Sequence, residues 1–394
     1  MELLIINANI YRTPERMFRM GDLLIRDGRI AAVTEGADVS LRASAAGVLD
    51  ANGRLLVPGL VDVHTHGRAG GDFSTADEAQ MRQMSASYLQ SGVTTLLPTL
   101  ASAPLDDLHR AIARINAVAA EEQAHPGARA HFAGVHLEGR YLNIKKRGAH
   151  APELLAPLDA DELAELLSKM DGVRHVSAAL ELDTDGSFLK KALALGATVG
   201  LGHTNATYHE AVDAITRGAT AMTHLFNAMP PLHHRDGGAV CAGMLDPTVS
   251  CELIVDGFHI APEMVALAWR MKGDHLVLIT DSMEATGCAD GEYTIAGMPV
   301  TVRDGKARTH DGAIAGSTLS LWDGVKNLCD FAKAPFADAL YAATMAPAVE
   351  VGLEAEVGSI AVGKRGDLLL LSGRDTTAWS RIDTVICGGV PVAD

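Results

Sequence analysis

Between residues 60 and 280 one rhythm repeats: a short apolar run, of the kind that makes a strand buried on both faces, then a longer stretch with helical periodicity. The runs are LVDVH (60–64), VTTLLP (93–98), HFAGVHL (131–137), VSAALEL (176–182), ATVGLG (197–202), ATAMTH (219–224), CELIVD (251–256) and HLVLIT (275–280). Stretches such as DEAQMRQMSASYLQSG, LDDLHRAIARINAVAAEE and DADELAELLSKM separate them. Eight such units predict a (β/α)8 TIM-type barrel rather than an open doubly wound sheet. No GxGxxG follows an early strand, which removes the main sign of a dinucleotide fold.

The two ends have another texture. LLIINANIY, DLLIRDGRIAAV and GVLDANGRLLVPG alternate apolar and polar residues around Gly and Asn-Gly punctuation, as β-hairpins do, and GSIAVGKRGDLLLLSG with RIDTVICGGVPV repeats the character at the other end. Two such segments join in one small domain if what lies between them closes on itself. The expected organisation is α/β: a small β-sandwich domain built from residues 1–56 and 356–394, flanking a barrel over 57–355.

With 394 residues, 48% hydrophobic and 21% charged, the chain can bury a sizeable core. It has no run of eighteen apolar residues, and MELLIINANIYRTPER lacks the order of a secretory signal, so a soluble cytoplasmic protein without a membrane partner is expected. Cys241, Cys251, Cys288, Cys329 and Cys387 show no CxxC or regular spacing, which suits buried thiols in a reducing compartment. Lys+Arg 33 against Asp+Glu 49, a net charge of −16, argues against a nucleic-acid partner. A small phosphorylated ligand stays compatible, because a few cations reverse the field inside a cleft. KKR at 145–147 is either such a local exception or a solvated charge run.

In a barrel of this type the C-terminal strand ends share one site. The stretch VPGLVDVHTHG ends the first run, and period-two alternation projects His64 and His66 to one side while Thr65 turns away. Glu138 ends the third run, His203 the fifth, His224 the sixth and Asp281 the eighth, and His259 follows the seventh. Singly, each such residue is more often a hydrogen-bonded structural group than a ligand. Together they are costly to bury without a cation. Imidazole and carboxylate without thiolate suit zinc.

The motifs VPGLVDVHTHG, GVTTLLPTLAS, GVHLEG followed by GAH, GHTNAT, THLFNAMPP, HRDGG, LIVDGFH, ITDSMEATG with DGEY, and AGSTLS occur in that order. In them the sequence resembles the N-acetylglucosamine-6-phosphate deacetylases of the amidohydrolase superfamily. The resemblance implies metal-dependent hydrolysis of the N-acetyl group of N-acetylglucosamine-6-phosphate to glucosamine-6-phosphate and acetate, in amino-sugar catabolism or cell-wall sugar recycling. It implies one or two divalent ions per subunit, zinc foremost, with iron and manganese as alternatives. Glu138, His203 and His224 would hold one ion and His64 and His66 a second, with Asp281 as catalytic acid/base also touching the metal. His150, in RGAH, corresponds to the residue that polarises the acetamide carbonyl, Asn227 and Ala228 to the phosphate-contacting turn, and Arg235 and His259 to the remaining phosphate partners. Arg235 would reach across from the neighbouring subunit of a homodimer. The alternatives are the galacto or manno epimer of the substrate, or a different amidohydrolase reaction; a noncatalytic barrel would have lost ligands, and none is missing. Where relatives usually have Pro after LEG this chain has Arg140, a cation that would alter the loop or touch an anionic substrate. The loop GRAGGDFS (67–74) reads equally as a lid or a plain connector.

Overall fold

The computed structural model describes residues 2–44, 47–121, 127–295, 297–375 and 380–392; Glu122, at the end of one expected helical stretch, and parts of both terminal segments lie outside the described residues. Eight parallel strands make the barrel: β1 (Leu60–Thr65), β2 (Val93–Leu100), β3 (Gly134–Glu138), β4 (Val173–Ala178), β5 (Thr198–Leu201), β6 (Ala221–Met222), β7 (Ser250–Ile254) and β8 (Leu276–Ile279). Each pairs with the next in parallel. Each is followed by a helix: α1 (Glu78–Gln90), α2 (Leu105–Glu121), α3 (Ala160–Ser168), α4 (Ser187–Ala194), α5 (Tyr208–Thr216), α6 (Gly238–Leu245), α7 (Pro262–Lys272) and α8 (Leu321–Ala332). The seam between β8 and β1 closes through side chains and single contacts. The Asp281 N–H donates to the His64 carbonyl at 2.9 Å, the Thr280 hydroxyl donates to Asp62 at 2.6 Å, and Thr65 bridges to Ser282.

Two strands differ from the sequence expectation. β4 begins before the apolar run at 176–182, because Arg174 and His175 pair with Val135 and His136 of β3, while Leu180–Leu182 is a 3-10 turn with Leu182 exposed. Pairing with neighbours on both sides outweighs the local apolar pattern. β6 keeps only two paired residues, since the chain leaves the sheet to carry His224 over the barrel mouth.

Five strands from the N-terminal end (Glu2–Arg12, Met17–Arg26, Arg29–Val33, Val48–Asp50 and Leu55–Pro58) and three from the C-terminal end (Leu368–Leu371, Ile382–Cys387 and Val390–Pro391) share one mixed sheet. The two ends of the chain meet where Leu369 pairs antiparallel with Val57. LLLL at 368–371 shows no alternation because both of its faces are buried. Leu368 and Leu370 join Ile5, Ile10 and Leu56 in a core of the sheet's own, whereas Leu369 and Leu371 join Tyr11, Leu55 and Val57 against the barrel. Arg16 fastens the two units, 2.9 Å from both Asp274 and Asp338.

A three-stranded antiparallel sheet, Gly291–Ile295, Met298–Arg303 and Lys306–Thr309, stands between β8 and α8 and was not anticipated. Its signal was the Asp304-Gly305 pair, whose φ values of +50° and +68° are those of a tight hairpin turn. Among the described residues no helix is long and apolar enough to cross a membrane.

Candidate active site

His64 is the penultimate residue of β1 with His66 just beyond the strand, Glu138 is the last residue of β3, and His203, His224 and Asp281 each stand two residues past the ends of β5, β6 and β8. Those last three have positive φ, +47°, +34° and +47°. Such a backbone costs a non-glycine residue on the order of 1 kcal/mol or more and persists where the surroundings enforce it, typically at working sites. Gly148 of RGAH also has positive φ, and its bare Cα lets the loop close on His203, whose Cε1 would lie 3.0 Å from an added Cβ.

Glu138 is the hub. Its Oε1 lies 3.1 Å from His203 Nε2 and 2.8 Å from His224 Nε2, and its Oε2 lies 2.8 Å from His66 Nε2 and 3.3 Å from His64 Nε2. Asp281 Oδ1 stands 3.4 Å from His66 Nε2 and 3.7 Å from His64 Nε2. One carboxylate thus divides four imidazoles into two pairs, with Asp281 on the side of His64 and His66.

The donor set fits divalent metal. His203 Nδ1 donates to the Lys146 carbonyl at 2.7 Å, so a neutral His203 presents a bare lone pair at Nε2, only 3.1 Å from His224 Nε2. Nitrogen lone pairs facing each other and a carboxylate repel until a proton or cation enters. The separation is that of neighbouring ligands around one small ion, about 3.3 Å for tetrahedral zinc. On the other side, His64 Nε2 is buried without a hydrogen bond. Burial alone would push His66 down, but hydrogen bonds to Asp281 and Glu138 raise it to about 9. Burial likewise opposes charge on His64, and Glu138 and Glu252 reverse it. A cluster that holds protons so strongly attracts the metal ion that can replace them.

Above the cluster opens a cavity of about 380 Å³, a usual size for a small-molecule site. His66, Glu138, His203, His224 and Asp281 border it, and His150, Asn227, Ala228 and His259 line it further out. His150 Nδ1 lies 2.9 Å from Ser102 Oγ and accepts from the Ser102 backbone N–H at 3.3 Å. An amide N–H only donates, so Nδ1 is unprotonated and neutral His150 carries its proton on Nε2, the nitrogen left for the cavity. Burial, then the neighbouring His203, push His150 down to about 3 and keep it neutral. Ser102 was missed in the sequence, although it closes the motif GVTTLLPTLAS. His259 is turned by Asp256, whose Oδ2 lies 2.7 Å from Nδ1. Arg235 is exposed and lies outside the cavity of its own chain, on a turn where His233 pairs with Asp236.

Arg140 faces away from the cavity. With φ of +61°, it sets Nε and Nη2 against Glu162 Oε1 and Oε2 at 3.0 and 3.1 Å, while Nη1 donates to the Ala103 carbonyl at 3.0 Å. Its guanidinium is spent on α3, which removes the expectation of a contact to an anionic substrate. Arg140→Ala is expected to lower stability by about 2 kcal/mol, the order for a part-buried bidentate pair. Denaturant unfolding and steady-state kinetics should show that loss with an unchanged KM. The 67–74 loop is a pinned connector: the N–H groups of His66 and Gly67 donate to the Ser282 carbonyl at 2.8 and 3.0 Å, and that of Gly70 donates to Glu284 at 2.8 Å. Nor is KKR a solvated run, since Lys146 Nζ donates to the Met229 carbonyl at 3.0 Å and Lys145 borders the cavity.

The sequence pattern of the amidohydrolase family matches residues 55–392. An N-acetylglucosamine-6-phosphate deacetylase from Vibrio furnissii is 35% identical over 80% of this chain and 79% of its own. An N-acetylgalactosamine-6-phosphate deacetylase from Escherichia coli O157:H7 is 34% identical over 93% of this chain and 94% of its own. The structure of a mutant N-acetyl-D-glucosamine-6-phosphate deacetylase from Mycobacterium smegmatis, in complex with N-acetyl-D-glucosamine-6-phosphate, superposes with a TM-score of 0.85 at 32% identity, covering 100% of this chain and 99% of that one. The chain belongs to the amidohydrolase family and, within it, to the amino-sugar 6-phosphate deacetylases.

Proposed function

We propose that this protein removes the acetyl group of N-acetylglucosamine-6-phosphate, releasing acetate and glucosamine-6-phosphate. The observation that carries the reading is the meeting, in one cavity, of the Glu138-centred cluster, the Asp281 carboxylate and the proton-bearing Nε2 of His150. His64, His66, Glu138, His203 and His224 would hold one or two divalent ions, zinc foremost, with Asp281 as a further ligand. A divalent ion held there would supply Lewis acidity, polarising the amide and lowering the pKa of water toward neutrality. Asp281 takes that proton as the water attacks, then hands it to the departing nitrogen, which is otherwise a poor leaving group. His150 Nε2–H donates to the carbonyl oxygen as it gains charge, a contact commonly worth about 3 kcal/mol. The C–N bond breaks, a C–O bond forms, the nitrogen keeps the proton delivered by Asp281, and the second water proton leaves the acetic acid product to give acetate at neutral pH.

Asn227, Ala228 and His259 would hold the 6-phosphate, a reading supported by their position in the cavity lining, and the outward position of Arg235 supports its delivery to the cavity of a partner copy in a homodimer. A phosphorylated sugar does not cross membranes unaided, which supports a cytoplasmic site of action. The galacto epimer is the second reading, favoured by the E. coli relative that spans 93% of this chain. The test is acetate release from N-acetylglucosamine, N-acetylgalactosamine and N-acetylmannosamine, each with and without a 6-phosphate, alongside elemental analysis of the purified protein. A preference of about 100-fold or more for the phosphorylated gluco sugar is expected. Equal turnover of the unphosphorylated sugars would remove the phosphate assignment, and a galacto preference would install the second reading.

A further inference from the structure

We propose that Glu252 is a positioning residue that locks the two halves of the metal centre to each other. It sits in the middle of β7, sealed from solvent, and does not border the substrate cavity. One of its oxygens, Oε2, serves two acceptor roles: it lies 3.0 Å from His64 Nδ1 and 3.1 Å from the backbone nitrogen of His224. The first contact sets the tautomer of His64, because a proton on Nδ1 directed at the carboxylate leaves the Nε2 lone pair for the site, 3.3 Å from Glu138 Oε2. The second holds the His224 backbone at φ +34°, a conformation the residue would not keep unaided. His224 Nδ1 is buried without a hydrogen bond, so the aim of its ring depends on that backbone. His64 belongs to the pair at Glu138 Oε2 and His224 to the pair at Glu138 Oε1. A single buried oxygen therefore fixes one imidazole on each side of the bridging carboxylate.

The surroundings of Glu252 are poorly explained by packing alone. Its other oxygen has no hydrogen-bond partner among the described residues and faces His175 Nε2 at 3.7 Å and the buried Glu350 carboxylate. Sealing Glu252 beside Glu350, whose carboxyl is pushed well above the usual carboxylate range by burial and by the Glu252 charge, opposes folding, and an apolar side chain in β7 would fill the same space without that penalty. Destabilising polar groups retained in a core are expected where they serve the site above them.

The inference rests on the metal centre proposed above, taken in its two-ion form. Its test compares wild type, E252Q and E252D by zinc stoichiometry, by zinc affinity in competition with a chelator, and by the melting temperature of the metal-stripped protein. E252Q keeps the shape and loses the charge; E252D keeps the charge and shortens the reach. A positioning role predicts zinc bound about 10- to 100-fold more weakly in both, with the metal-free melting temperature of E252Q unchanged or raised. Wild-type zinc affinity in the folded variants, with only the metal-free melting temperature lowered, would overturn it and leave Glu252 a core residue. If wild type takes up one ion at most, the two-ion reading fails separately. Replacing Glu252 must then still weaken the binding of that single ion through the His224 backbone, and unchanged affinity overturns the proposal in that case too.

Discussion

Asp281→Asn is expected to reduce kcat by about 10³- to 10⁴-fold while the protein still binds metal and substrate, the range associated with loss of a general acid/base. The variant is nearly isosteric, and the backbone that carries residue 281 is held independently of its side chain. Its N–H donates to the His64 carbonyl at 2.9 Å, and its carbonyl accepts from the Ser317 N–H at 2.8 Å. The asparagine oxygen can still face His66, so the cavity keeps its shape. What is lost is the ability to take up a proton and give it back. In the wild type, burial would raise the Asp281 carboxyl, but its hydrogen bond to His66 and the charge of His64 hold it down, which keeps it the carboxylate that the proposed proton transfer requires. Steady-state kinetics combined with elemental analysis separate the two roles assigned to this residue. Near-native turnover would remove Asp281 from proton transfer, and loss of metal together with turnover would make it chiefly a ligand.

The meeting of His64, His66, Glu138, His203, His224 and Asp281 was legible because each follows an apolar run, and strand alternation alone puts His64 and His66 on one side. The barrel was legible for the same reason, since strands buried on both faces leave near-continuous apolar stretches. β4 was misplaced because Arg174 and His175 break its apolar pattern, and only pairing with β3 shows them to be strand residues. Glu252 was hidden inside CELIVD, where one polar residue in a buried strand carries no local mark of its purpose. Its meaning appears when a residue 188 positions away in sequence arrives at its oxygen. Ser102 and Arg140 were unreadable on similar grounds: the serine matters through His150, and the arginine is neutralised by Glu162 of α3, a partner no spacing rule identifies.

Glu138→Gln is expected to lower the metal content of the protein by at least one ion per subunit and to cut activity by about 10³-fold or more. The wild-type carboxylate presents an oxygen to each imidazole pair, Oε1 to His203 and His224 and Oε2 to His64 and His66. Glutamine has one oxygen and one NH2 group, so in either orientation a donor faces one pair, hydrogen-bonding the lone pairs that would otherwise ligate metal. The site also loses a negative charge in a buried position, where a neighbouring cation feels it most. Folding should survive, because the residue 138 backbone stays in register with Ser177 of β4. A thermal comparison tests this without assaying activity. Metal that binds only the folded state at a thousandfold excess over its Kd adds about 4 kcal/mol, so chelation should lower the wild-type melting temperature by roughly 5 °C or more. The variant should show a much smaller response to chelator. An equal drop in both proteins would mean that Glu138 is not the group that bridges the imidazole pairs, and the partition of the centre into two halves would fail with it.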